Sequence, residues 1–145
     1  MHVLLPIDGT ELSLRAVRYA IGLHHQGLQL RVLLANVQEP SNFYELVNAP
    51  DPAVREKISA EAGRHLLAQA QALLREACIA HVDAVAHGDP AQALIELAET
   101  NGIDLIVIGG HGKGLLRSAI EGSVSLKLLQ EAKVPVLVVK APLAA

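Results

Sequence analysis

Apolar residues alternate along this chain between two patterns. Short runs of Val, Ile and Leu recur between longer stretches in which apolar side chains return every three or four positions. A short continuous run suits a strand covered on both faces, whereas steps of three or four put side chains on one face of a helix. Five runs predict strands: Val3 to Ile7, Leu30 to Val37, His81 to Ala86, Leu105 to Ile108 and Val136 to Val139. The first, fourth and fifth are apolar almost throughout, as a parallel sheet between two helical layers requires.

Helices fill the intervals. Thr10 is placed to cap the first, which runs through Tyr19 to about Leu23 with Leu14, Val17 and Ile21 as its buried stripe. The second, from about Ala53 to Cys78, repeats Ile58, Ala62, Leu66, Ala70, Leu73 and Ala77, a stripe expected to face the core. Cys78 is expected to be a small buried residue near its end. Asp89 caps a third helix with Pro90 at its first position, and Asn101-Gly102 stops it. The fourth spans about Gly122 to Ala132 and turns Val124, Leu128 and Leu129 inward. With right-handed crossovers, this order predicts an α/β fold, a five-stranded doubly wound parallel sheet. No repeat or linker marks a second domain, so residues 1–145 are read as one. The longest irregular segment is Gln38 to Pro52.

A chain of 145 residues is long enough for a core without disulfides or metals. Hydrophobic residues make up 51% and aromatics only 2%, namely Tyr19, Phe43 and Tyr44, so that core must be aliphatic. So few rings and a net charge of -3 leave neither a base-stacking surface nor a basic footprint, and no nucleic-acid partner is expected. The single cysteine rules out an internal disulfide and a Cys-based zinc site. His24-His25, His2, His65, His81 and His87 lack H-x-x-x-H spacing, so no metal site is expected among them. The opening MHVLLPIDGT has no basic leader, and no apolar stretch reaches the roughly 18 residues of a membrane span. Together these predict a soluble cytoplasmic protein without a membrane partner.

In an open α/β sheet, ligands bind beyond the carboxyl ends of the strands, at the switch point where connections leave for opposite faces. Two segments there are unusual. Pro6-Ile7-Asp8-Gly9-Thr10 closes the first strand with a carboxylate, and Gly109-Gly110-His111-Gly112-Lys113-Gly114 follows the fourth, resuming at Gly122-Ser123-Val124-Ser125. Glycine lets backbone amides approach an anion, and Gly122 and Ser123, read as the start of the last helix, would offer free amides at its positive end. The Ser123 and Ser125 hydroxyls add donors, and Lys113 is a counter-charge for a triphosphate. The same glycines also suit an ordinary turn, Asp8 a helix-flanking turn, and His111 a solvated loop. The spacing is neither that of a P-loop nor of a dinucleotide-binding fingerprint.

Gly109-x-x-Gly112, nine residues, then Gly122-Ser123 resembles the G-2x-G-9x-G-(S/T) pattern of the ATP-binding branch of the universal stress protein family. The opening Pro-x-Asp-Gly-Thr, the Gly88-Asp-Pro before a helix and the closing Val134-Pro135-Val136-Leu137-Val138-Val139 are similar to the family's motifs in the same order. The resemblance implies a Rossmann-like, adenine nucleotide alpha hydrolase-like domain with sheet order 3-2-1-4-5. It implies binding of ATP or AMP, with Mg as a companion of ATP, and a stress-response sensor or regulator with little or no turnover. By the same resemblance Asp8 lies beside the ribose with Pro6 and Ile7 as neighbours, and Val37 reads the adenine through its main chain. Gly109, His111 and Gly112 form one half of the phosphate loop, and Gly122, Ser123, Val124 and Ser125 the other. A homodimer through Val136, Leu137, Val138 and Val139 is also implied. Gly110 stands where a small hydroxyl residue is frequent, and Asn36 where a His is frequent. Phe43 and Tyr44 are the available aromatic lid. No catalytic base is evident, since Asp8 and Glu121 lack identifiable partners. The alternatives are a non-nucleotide-binding dimeric interaction protein of the same fold and a slow ATPase.

Overall fold

The computed structural model describes residues 1–38, 52–110 and 119–141, apart from the side chains of 52–60 and 119–122. Along the chain lie β1 (His2–Pro6), α1 (Glu11–His25), β2 (Arg31–Gln38), α2 (Pro52–Glu76), β3 (Ala80–His87), α3 (Pro90–Thr100), β4 (Leu105–Gly110), α4 (Ala119–Glu131) and β5 (Val136–Lys140). The strands form one parallel sheet in the order β3-β2-β1-β4-β5. The alternation predicted a doubly wound sheet, and this strand order is the one the family resemblance implied. The segment from Glu39 to Asp51, with Phe43 and Tyr44, lies outside the described residues, as do 111–118.

Strand side chains alternate between faces, and the core divides accordingly. Val3, Leu5 and Ile7 of the first strand segment, with Val32, Leu34 and Val107, meet Leu14, Val17 and Ala20 of α1 and Leu67, Ala70 and Leu74 of α2. Leu4, Leu33, Ala35, Ile106 and Ile108 meet Leu94, Ile95 and Ala98 of α3 and Leu128 of α4 on the other face. Each fully buried Leu or Val contributes about 1.5 to 3 kcal/mol by leaving water, and among the described residues no aromatic ring joins them. The stripe of α2 runs through Gly63, Leu67, Ala70 and Leu74, with Leu66, Leu73 and Ala77 half-buried beside it; Ala62, expected inward, is exposed.

Three helices end in the same hydrogen-bonded motif. Leu28 N donates to Leu23 O at 3.1 Å, Ile79 N to Leu74 O at 3.0 Å and Ile103 N to Ala98 O at 3.0 Å, each spanning six residues back to the last turn. That closure puts the preceding residue at positive φ: Gly27 at 108°, Gly102 at 61° and Cys78 at 59°. Cys78 is exposed, not buried as the sequence suggested, because the left-handed residue beyond a helix end points away from the core.

Two further expectations change. Strand β4 continues through Gly109 and Gly110, which pair with Val139 and Lys140, so these glycines belong to the sheet rather than to the loop after it. Helix α4 begins at Ala119, three residues before Gly122. Glycine inside a helix costs only about 1 kcal/mol against Ala, too little to stop a helix whose later turns pack Val124 and Leu128 on the sheet. Leu129 is 53% exposed instead of inward, since α4 packs with a narrow stripe centred on Leu128.

Candidate functional site at the strand ends

The site is built where β1 and β4, adjacent in the sheet, send their chains to opposite faces. After Pro6, Ile7 N makes one more rung with Ala35 O at 2.7 Å, and the chain then leaves the sheet. Asp8 organises the departure. Its Oδ1 accepts from Thr10 N at 2.9 Å and from Thr10 Oγ1 at 2.5 Å, while Oδ2 has no partner among the described residues. Thr10 then caps α1, its hydroxyl oxygen accepting from Ser13 N at 3.3 Å. Gly9 lies between them at φ 83°, and a Cβ there would stand 2.6 Å from Leu66 Cδ2 of α2. Only glycine meets both conditions without displacing a neighbour.

On the β4 side, a Cβ on Gly109 would run into the Leu12 carbonyl oxygen and lie 2.9 Å from its carbon. The first turn of α1 therefore rests directly on the Gly109 backbone. A Cβ on Gly110 would stand 2.5 Å from Val138 Cγ1 of β5.

These elements enclose an open pocket of about 620 Å³, its mouth included, lined by Pro6, Ile7, Asp8, Thr10, Leu12, Ser13, Ala35, Val37, Pro90, Leu94, Ile108, Gly109 and Val124. Its floor is aliphatic, from Ile7, Ala35, Leu94, Ile108 and Val124, and its polar side chains are Asp8, Thr10 and Ser13. The structure thus brings Pro6, Ile7, Asp8, Val37, Gly109 and Val124 of the expected site residues into one pocket. Ser123 lines an adjoining cleft with Asp89, Pro90 and Lys127, where Lys127 Nζ lies 3.7 Å from Asp89 Oδ2. Ser125 is buried, its Oγ 3.5 Å from where a Gly110 Cβ would lie. His111 and Gly112 lie outside the described residues. Gly122 and Ser123 lie inside α4, three and four residues past its first residue, Ala119.

Sequence reasoning missed Thr10, Leu12, Ser13, Ala35, Pro90, Leu94 and Ile108 as lining residues. Ala35 was within reach, since the period of two puts it on the same face as Val37. Thr10 and Pro90 were read only for their helix-starting roles, which place them at the pocket as well.

The main chain of β2 also faces this pocket. Arg31 N donates to Met1 O at 2.9 Å and Ala35 O accepts from Ile7 N, both on the β1 side, while Gln38 O accepts from Gly88 N at 3.0 Å on the β3 side. By this parity Val37 presents its N–H and C=O to the β1 side, beyond the last rung. The Ile7 carbonyl, which the next rung would use, accepts instead from Asn36 Nδ2 at 2.7 Å. Among the described residues no group of three or more His, Cys, Asp or Glu side chains is arranged to hold a metal ion, and no helix is long and apolar enough to cross a membrane.

A doubly wound parallel sheet with an aliphatic pocket at its switch point places this α/β domain in the Rossmann-like class. The universal stress protein family model matches residues 1–140, and the chain belongs to that family. It is 30% identical over 140 residues to universal stress protein MJ0531 of Methanocaldococcus jannaschii, covering 97% of this chain and 82% of that one. It is likewise 30% identical over 145 residues to universal stress protein YxiE of Bacillus subtilis, covering 95% and 97%. The crystal structure of a universal stress protein in complex with cAMP superposes with a TM-score of 0.69 at 26% identity, covering 97% of this chain and 96% of the other.

Proposed function

We propose that this universal stress protein belongs to the ATP-binding branch, takes ATP or AMP into the switch-point pocket, and acts as a cytoplasmic stress-response sensor or regulator with little or no turnover. The observation that carries the reading is the convergence of Pro6, Ile7, Asp8, Val37, Gly109 and Val124 on one pocket. In this reading the adenine lies on the aliphatic floor against the Val37 main chain and the ribose lies near Asp8. The phosphates extend toward His111, Gly112, Gly122, Ser123 and Ser125, and Mg accompanies ATP. The cAMP complex of a relative at 26% identity supports an adenine nucleotide as the ligand class.

A homodimer is part of the proposal, through Val136, Leu137, Val138 and Val139. These half-buried residues lie on β5, an edge strand whose free backbone would otherwise meet water.

Equilibrium dialysis with labelled ATP and AMP tests the reading. Roughly micromolar dissociation constants are expected, weakened at least tenfold by Gly122→Val, with phosphate release below about one turnover per minute. Absence of binding above background refutes the nucleotide role. A sedimentation profile that stays monomeric at micromolar concentration refutes the β5 dimer.

A further inference from the structure

After Arg31, strand β2 is apolar up to its last three residues, where Asn36 and Gln38 are both buried, at 2% and 6% exposure. Two buried amides in an aliphatic core need a reason, because each carries a desolvation cost that hydrogen bonds must offset. Their bonds form a chain. Gln38 Nε2 donates to Asn36 Oδ1, and Asn36 Nδ2 donates to the Ile7 carbonyl. A carbonyl only accepts, so this partner fixes which end of the Asn36 amide faces Ile7. Helix α2 seals the pair at Gly63, where a Cβ would come within 3.1 Å of Asn36 Oδ1 and 2.8 Å of Val85 Cγ1.

The acceptor taken by Asn36 is the one that Val37 N–H would use to extend the β1–β2 ladder. We propose that Asn36, held by Gln38, is a positioning residue: it occupies the Ile7 carbonyl and so leaves the Val37 N–H and C=O to read the ligand base. The inference rests on the nucleotide reading above and adds what keeps the Val37 main chain available to the base. A main-chain N–H and C=O on one strand edge match the N1 acceptor and N6 donor of adenine. They oppose guanine, which has an O6 acceptor where adenine has its amino group. Without Asn36, the Ile7 carbonyl is a buried acceptor without a donor, and Val37 N–H is the nearest rung partner to satisfy it.

The test combines amide hydrogen exchange at Val37 with ATP and GTP titrations of the full chain. In the native protein, Val37 N–H exchanges quickly without ligand and slows when ATP is added. In Asn36→Ala the same amide is protected before any ligand is present. The ATP affinity of that variant falls about tenfold with little change for GTP, so the preference for ATP shrinks in proportion. A variant that merely loses stability leaves the ATP-to-GTP ratio intact, and an unchanged ratio overturns the proposal. Should Asn36→Ala fail to fold, the native measurement still decides, because a Val37 amide already protected without ligand overturns it. Native protein that binds neither nucleotide refutes the underlying nucleotide reading, whereas binding of ATP and GTP alike refutes only the role of Asn36 and Val37.

Discussion

Replacing Gly109 with Ala adds one methyl group at the point where α1 rests on β4. That methyl would meet the Leu12 carbonyl oxygen and stand 2.9 Å from its carbon and 3.0 Å from Leu12 Cγ. Two of these atoms are main chain, and they belong to the first turn of a helix anchored by Thr10 and Asp8, so no side-chain rotation relieves the contact. Gly109 cannot retreat either, because β4 is paired with β5 at this residue. Overpacking of a core costs about 1 to 3 kcal/mol, and a backbone obstacle places this case near the upper end. For a domain of this size, 3 kcal/mol lowers Tm by about 9 °C. Gly22→Ala is the matched control. Gly22 lies within α1, a Cβ there has nothing within 4 Å, and the change is expected to stabilise by about 0.5 to 1 kcal/mol through helix propensity. Urea unfolding followed by far-ultraviolet circular dichroism gives both numbers from one assay. If Gly109→Ala lies within 0.5 kcal/mol of the native protein, the account of a helix seated on bare backbone is wrong. The result also bears on ligand studies, since loss of binding in a Gly109 variant would reflect displacement of α1 as well as any lost phosphate contact.

Other consequences are open to the same measurements. Cys78→Gly should stabilise by about 0.5 to 1 kcal/mol, because φ 59° suits glycine and the thiol is exposed; a loss of stability would contradict the left-handed cap. In the native protein that thiol should react with a disulfide reagent without prior unfolding, and protection until denaturation would show it to be covered. Thr10→Ala should cost about 1 kcal/mol by removing both the α1 cap and the bond to Asp8, while Thr10→Ser should retain most of the stability. Lys127→Ala should change stability by less than about 0.5 kcal/mol, since its 3.7 Å pair with Asp89 is solvent-exposed, and a larger loss would point to coupling across the α3–α4 cleft.

What could be read from the sequence was local. The caps at Thr10 and Asp89 use side chain and backbone a few residues apart, so residue type and spacing were enough to find them. The apolar runs of β1, β4 and β5 are continuous because helices or neighbouring strands cover them, whereas the strand order came from the family resemblance, since doubly wound connectivity also allows 2-1-3-4-5. What escaped depended on distant parts of the chain. Gly109 carries the spacing of a loop motif, and only the closeness of Leu12, almost a hundred positions earlier, reveals it as a strand residue bearing a helix. Cys78 offers no glycine signal at a position that adopts a glycine conformation. For the site, the motif residues at the ends of β1 and β4 were legible, whereas Leu94 and Pro90 reach the pocket only because α3 packs against β2 and β3. Asn36 and Gln38 did leave a signal, two amides spaced by two in an apolar strand, whose meaning needed the partner carbonyl of Ile7.

The aliphatic core has a spectroscopic corollary. The chain has no tryptophan, and Tyr19 is 47% exposed, so among the described residues the packed interior holds no chromophore near 280 nm. Near-ultraviolet signals will therefore report poorly on whether this core is intact, and melting must be followed through the peptide backbone. The same transparency makes a bound base conspicuous: any adenine carried through purification would dominate absorbance at 260 nm over the whole polypeptide around it.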